Sequence, residues 1–273
     1  MAASTKDVID AVRVREGGRA HLGTRATDET FGWTKEQAQA ALADELAVLS
    51  KLQAKLFASE AGAVLVVLQA MDAAGKDGTI RDIFTGLNPA GVDVRGFGVP
   101  SEEERAHDYL WRIHTHAPAK GRIGVWNRSH YEDVLVVRVK QLVERTRWQR
   151  RYDHIRAFES MLVDEGTSIV KIFLHVSKKE QRARLQDRID DPHERWKFRL
   201  GDLDDRKLWK QYMAAYTDAI ERTSSDAAPW YVVPADRKWA RNLVVAKILR
   251  RTLEAIDPQF PPAEEGVEGL VVE

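Results

Sequence analysis

The sequence predicts an α/β fold: a doubly wound, mainly parallel five-stranded sheet with helices on both faces and a helical lid. Three observations carry this. Five short apolar or β-branched runs punctuate the chain, helix-period segments lie between them, and one densely charged stretch at about 178–210 stands apart. Strands alternating with helices imply βαβ units, whose crossovers cover both faces of a parallel sheet.

In chain order, residues 1–33 mix Gly, Thr, Asp and Arg without a clear period and read as an extended or partly ordered arm. "TKEQAQAALADELAVLSKLQAKLFAS" opens with Thr34 and Gln37 at capping-box spacing and carries apolar residues three and four apart, the mark of an amphipathic helix. The expected strands are "AVLVVLQ" (63–69), "VDVRGFGV" (92–99), "RIGVWN" (122–127), "SIVKIFLHV" (168–176) and "WYVVPA" (230–235). Helix starts fall at Ser101 with Glu104, just after Pro100, and at Ser177 with Glu180. The 178–210 stretch is helical in period but broken at Asp191-Pro192, which suggests a helical hairpin projecting as a lid. Residues 1–257 then form a single domain, and the proline-rich, acidic 258–273 form a flexible C-terminal tail.

Composition bounds the function. The 273 residues are 44% hydrophobic and 31% charged, so the chain can bury a substantial core. With 42 Lys plus Arg against 42 Asp plus Glu, the net charge is zero, and any polyanion must meet a local basic patch rather than a basic surface. The absence of cysteine excludes disulfides, thiolate metal sites and cysteine nucleophiles, and suits a cytoplasmic setting. The N-terminus lacks a secretory apolar core, and the run "AVLVVLQAM" is too short to span a bilayer.

"LQAMDAAGKDGTI" (68–80) has the outline of a phosphate-binding loop with two unusual letters: Ala70 stands at the usual first glycine, and Asp77 at the usual hydroxyl. Strand, small-residue turn and helix start still gather N–H groups and a positive helix end at one point, which favours an anion. Ala73, Ala74, Gly75, Lys76, Asp77 and Gly78 make up the loop, with Arg81 one turn on. Without the hydroxyl, Asp72 is the metal-ligand candidate, since Mg²⁺ accepts one or two carboxylates plus phosphate oxygens and water. The third strand runs into "NRSHYED", which offers Asn127, Arg128, Glu132 and Asp133 as nucleotide-site candidates. One of the two carboxylates could return to the metal, although acidic residues also decorate helix starts for purely local reasons. In the charged stretch, Arg184, Arg188, Arg195, Lys197, Arg199 and Arg206 are interleaved with eight acidic residues, a pattern that reads mostly as a solvated face. Arg188 and Lys197 flank the Asp-Pro break, where a lid needs cations. The "HTH" at 114–116 does not place two histidines on one helix face and reads as no metal site.

With these residues in view, the chain resembles the polyphosphate kinase 2 family: "VVLQAMDAAGKDGTI", "GRIGVWNRSHYEDVLVVRV", "DDPHERWKF" and "APWYVVPADRKWARNL" look like its signature blocks, in order, over nearly the whole chain. The resemblance implies a phosphate-loop (Walker A) kinase fold with a lid, moving phosphoryl groups between inorganic polyphosphate and nucleotides with Mg²⁺, or Mn²⁺ in its place. It implies Asp72 and Lys76 as loop residues of catalysis, Arg128 in the second block and Lys197 in the lid block. Many members carry aspartate at the position of Asn127 and asparagine at that of Glu132. The swapped pair here is similar to the subgroup that accepts both AMP and ADP, and it makes Glu132 the expected metal partner of Asp72. Lys76, Arg81, Arg128, Arg188 and Lys197 would form the cationic channel for polyphosphate. The expected partners are polyphosphate, AMP, ADP and ATP, with guanine nucleotides open, in a homo-oligomer, dimer or tetramer, and with neither nucleic acid nor membrane. Two alternatives remain at this point: an ATP-dependent nucleoside or nucleotide kinase on the same fold, and a nucleotide-binding regulatory module.

Overall fold

The computed structural model describes residues 2–267 and 269–272; Met1, Glu268 and Glu273 lie outside the described residues. The elements are α1 (Thr5–Val12), β1 (Arg13–Val14), α2 (Lys35–Ser59), β2 (Ala63–Ala70), α3 (Lys76–Phe84), β3 (Val92–Gly96), α4 (Glu102–Ala106), α5 (Trp111–His114) and β4 (Ile123–Asn127). They continue with α6 (Val136–Val139), α7 (Arg145–Asp164), β5 (Thr167–His175), α8 (Lys178–Asp190), α9 (Leu200–Lys207), α10 (Trp209–Thr223), β6 (Trp230–Pro234) and α11 (Lys238–Ile256).

The sheet has six strands in the order β1-β6-β5-β2-β4-β3. Five are parallel, as the alternation of runs predicts. The sixth corrects the expectation: Arg13 and Val14 pair antiparallel with Tyr231 and Trp230, so the five-stranded sheet gains an edge. The N-terminal arm is correspondingly not an extended appendage. Ser4 caps α1 through the Asp7 N–H, and Val8, Val12, Val14, Ala20 and Leu22 are buried. Val8 and Val12 stand four apart, one helical turn, so a single face of this short helix reaches the core.

β2 lies at the centre, paired with β4 on one side and β5 on the other. All eight of its residues are buried, which explains a continuous apolar run in place of an alternating one. α2, α3 and α11 cover one face, and α7 and α10 the other. Because the chain leaves β2 for β3 and β4, then crosses to β5 and β6, the sheet changes winding direction beside β2. Ligand crevices form at the carboxyl ends of strands at such a point.

The caps read from sequence are present: Thr34 with Gln37 and Ser101 with Glu104 form reciprocal boxes, and Ser177 accepts from the Glu180 N–H. The charged stretch folds as α8, a turn through Asp191 and a short 3₁₀ segment at Arg195–Lys197, then α9. Among the described residues from 258 onward there is no helix or strand. Among the described residues no helix is long and apolar enough to cross a membrane.

Candidate active site

The chain leaves β2 at Ala70, turns through Met71–Gly75 and enters α3 at Lys76. Two left-handed residues make the turn, Ala73 at φ 60° and Gly75 at φ 105°. The glycine suits the turn, because φ 105° is strained for any L residue, and a Cβ there would meet the Arg241 guanidinium. Ala73 accepts the same penalty, about 1 kcal/mol or more, in a fully determined turn. The Thr79 hydroxyl donates to Gly75 O at 3.0 Å, and the Tyr216 hydroxyl to Ala70 O at 2.9 Å, so the loop is tied at both ends.

β4 delivers the second half of the site. Arg128 also adopts a left-handed angle, φ 65°, with its N–H bonded to Leu68 O at 3.0 Å. Its guanidinium meets Asp72 at 3.0 Å and Glu132 at 3.8 Å, joining the phosphate loop to the 3₁₀ turn His130–Asp133. Ser129 caps that turn by accepting from the Tyr131 N–H at 3.1 Å. The Gln69 amide, set so that its oxygen accepts from Ser129, donates to Glu132 at 3.1 Å. Burial raises the Glu132 carboxyl above the ordinary range, opposed by Arg128 and then Lys76. Burial, reinforced by Arg128, lowers the Lys76 ammonium, while Asp72, Glu132 and Asp77 pull it back. Asn127, at the strand end, donates to Asp77 rather than standing free.

Asp72, Lys76, Arg128 and Glu132 therefore converge. Four other candidates sit differently. Asp133 is buried and accepts from Arg151 at 2.7 Å, with that guanidinium lying 4.4 Å from the Tyr109 ring; burial pushes its carboxyl up to about 6. This is an internal ion pair, not an open nucleotide contact. Lys197 is held by Glu194 at 2.6 Å and lies over the exposed Trp196 ring, at the tip of the lid. Arg81 is exposed and pairs with its neighbour Asp82 at 3.0 Å. Arg188 is half-buried in the last turn of α8.

The sequence reading missed what lies beneath the loop. Arg184, expected on a solvated face, is buried, and its Nη1 donates to Ala73 O at 3.2 Å and Ala74 O at 2.8 Å. Gln181 donates to Asp72 O at 3.0 Å. Gln181, Arg184 and Leu185 form the buried i, i+3, i+4 face of α8, a spacing visible in the sequence but hidden among charges. Arg241 of α11 donates to Ala74 O at 3.2 Å, and burial beside Arg184 pushes it down to about 10.

Among the described residues no cluster of three or more metal-ligating side chains occurs. Asp72 and Glu132, facing one guanidinium, would offer Mg²⁺ two carboxylates, with phosphate oxygens and water completing its six ligands, so the donor set fits this ion.

The family described as polyphosphate kinase 2 matches residues 32–261. An AMP/ADP-polyphosphate phosphotransferase of Meiothermus ruber is 58% identical over 183 residues, 67% of this chain and 68% of that one. An ADP-polyphosphate phosphotransferase of Rhodopseudomonas palustris is 44% identical over 183 residues, 63% of each chain. The crystal structure of polyphosphate kinase 2 from Arthrobacter aurescens TC1 superposes with a TM-score of 0.92 at 41% identity, covering 98% of this chain and 95% of that one. On the strength of the matched span, the shared fold and the loop that both imply, the chain belongs to the polyphosphate kinase 2 family.

Proposed function

We propose that the protein is a phosphotransferase that moves phosphoryl groups reversibly between inorganic polyphosphate and adenine nucleotides, converting AMP to ADP and ADP to ATP. The observation that carries this reading is the junction of Lys76, Arg128, Asp72 and Glu132 over a phosphate loop at the switch point of the sheet. The chemistry asks little of a base, because a terminal phosphate oxygen of AMP or ADP is already ionised near neutral pH. That oxygen attacks the terminal phosphorus of polyphosphate; the new P–O bond forms as the donor anhydride breaks, and the shortened chain leaves as an anion.

The protein supplies alignment and charge. Gly75 and the first turn of α3 present N–H donors, Lys76 adds a mobile cation, and Arg128 places a planar fork opposite them. Asp72 and Glu132 would hold Mg²⁺, which when bound neutralises charge on the phosphate oxygens. Arg188 and Lys197 on the lid are proposed to line the polyphosphate path, with Lys197 released from Glu194 when the anion arrives. A cytoplasmic setting is part of this proposal, and the absence of cysteine suits it.

The test is nucleotide formation by purified protein with long-chain polyphosphate, Mg²⁺ and either AMP or ADP, against a Lys76→Ala control. ADP and ATP from AMP, and ATP from ADP, both lost in the variant, are expected. If neither acceptor gives product while ATP phosphorylates a nucleoside, the assignment fails.

A further inference from the structure

Two arginines lie under the phosphate loop, on the side away from the proposed substrate. Arg184, from α8, spans four carbonyls: Ala73 O and Ala74 O through Nη1, and Ala235 O and Asp236 O through Nη2 at 2.7 and 3.0 Å. Arg241, from α11, reaches Ala74 O through Nη1 and grips Asn242 Oδ1 through Nε and Nη2 at 3.0 and 2.8 Å. Asn242 in turn donates to Asp82 of α3 at 2.8 Å, and Asp82 accepts from Arg81. Arg184 has a carboxylate neighbour, Glu180 at 2.9 Å; among the described residues Arg241 forms no ion pair although it is 1% exposed.

An unpaired buried guanidinium is costly unless something nearby needs its charge or its donors. Both needs are visible here. In a trans peptide the C=O and the next N–H point to opposite sides. Drawing the Ala74 carbonyl downward onto two guanidinium groups therefore turns the Gly75 N–H upward, to the face where an anion is received. A Cβ at position 75 would meet Nη1 of Arg241, which shows how closely the arginine is pressed against the turn. The positive charge also sits directly below the anion site, where little water screens it.

We infer that Arg241, together with Arg184, is a positioning residue that holds the phosphate loop in its anion-receiving shape and supplies a buried charge beneath the bound phosphates. Neither arginine touches substrate. The inference rests on the polyphosphate reading above, and its test is arranged so that the two can fail separately. The probe is inorganic tripolyphosphate with Mg²⁺, with the rise in Tm on binding and the KM for polyphosphate as readouts, on wild type, Arg241→Met and Arg241→Lys.

Wild type is expected to gain in Tm with tripolyphosphate. Arg241→Met is expected to lose most of that gain and to raise KM by at least about tenfold, the scale of one lost hydrogen bond to a charged group. Arg241→Lys keeps the charge but cannot span both Ala74 and Asn242, so it should recover part of the Tm gain and little of the KM. A purely structural arginine would lower Tm equally with and without tripolyphosphate and leave KM alone; that result overturns the inference. If Arg241→Met does not fold, Arg241→Lys decides: wild-type KM and wild-type Tm gain in that variant also overturn it. A wild-type protein that does not respond to tripolyphosphate at all would instead count against the function proposed above.

Discussion

Two lysines, Lys76 at the tip of the phosphate loop and Lys171 in the middle of β5, are both lowered by burial, yet they are opposite kinds of site. Lys171 is fully buried and spends all three donors inside the protein, on Glu159 at 2.5 Å, Thr223 O at 2.7 Å and the Tyr131 hydroxyl at 3.2 Å. Its partners are closed in turn: Tyr131 donates to Glu159 and bridges to Thr223, which also accepts from Trp230. Lys76 makes one long bond, 3.4 Å to Ala70 O, and its carboxylate neighbours Asp72 and Glu132 are engaged by Arg128. Burial of charge alone thus does not mark function. What separates the regions is whether the donors are already consumed, and only Lys76 has donors left for a phosphate.

The largest expected difference follows directly. Lys76→Met should reduce phosphoryl transfer by about 10³ or more while leaving the urea midpoint near wild type. Lys171→Met should do the reverse, costing about 3–5 kcal/mol of stability because Glu159 is left buried and unpaired. Equal destabilisation by the two variants would erase the distinction. A sharper form removes both charges of the closed pair: Lys171→Met with Glu159→Gln should recover most of that loss, since a buried pair replaced by neutral groups is often nearly neutral in stability. The loop offers no such rescue.

A smaller effect is expected at Glu132. Glu132→Gln keeps the shape and the hydrogen bond from Gln69 but removes one proposed Mg²⁺ ligand, so the Mg²⁺ concentration for half-maximal rate should rise by about tenfold or more. An unchanged Mg²⁺ titration would leave Asp72 as the metal carboxylate of the pair. The smallest effect is a pH slope in the closed region. Burial holds His130 below its ordinary value of 6.5, opposed by Glu159 and assisted by Lys171. As pH falls through that value the unfolded chain takes up a proton that the folded chain resists, so this contribution is present above it and lost below. The slope can reach at most about 1.4 kcal/mol per pH unit. Stability measured by urea from about pH 7.5 to about pH 5.5 should fall toward acid in the wild type and less steeply in His130→Phe.

Much of the molecule was legible in its order of residues. The five parallel strands and the caps at Thr34, Ser101 and Ser177 are local signals, set by side-chain period and by orphan N–H groups at helix starts. The short N-terminal helix and edge strand were not legible, because two valines and a two-residue strand become meaningful only against α11 and β6. The same holds for Asp133, whose acidic place at a turn start suggests a ligand contact until Arg151, eighteen residues on, is seen to occupy it.

By itself the sequence determined the phosphate loop: strand, small-residue turn and helix start are contiguous, and their attraction for an anion comes from backbone groups within a few residues. The tertiary structure alone decided which charges serve it. Arg184 and Arg241 reach Ala74 from 110 and 167 residues away, and Lys171 is closed off by Thr223, 52 residues distant. A charged side chain's energy depends on its burial and its partners, and both are set by what packs around it rather than by what precedes it in the chain.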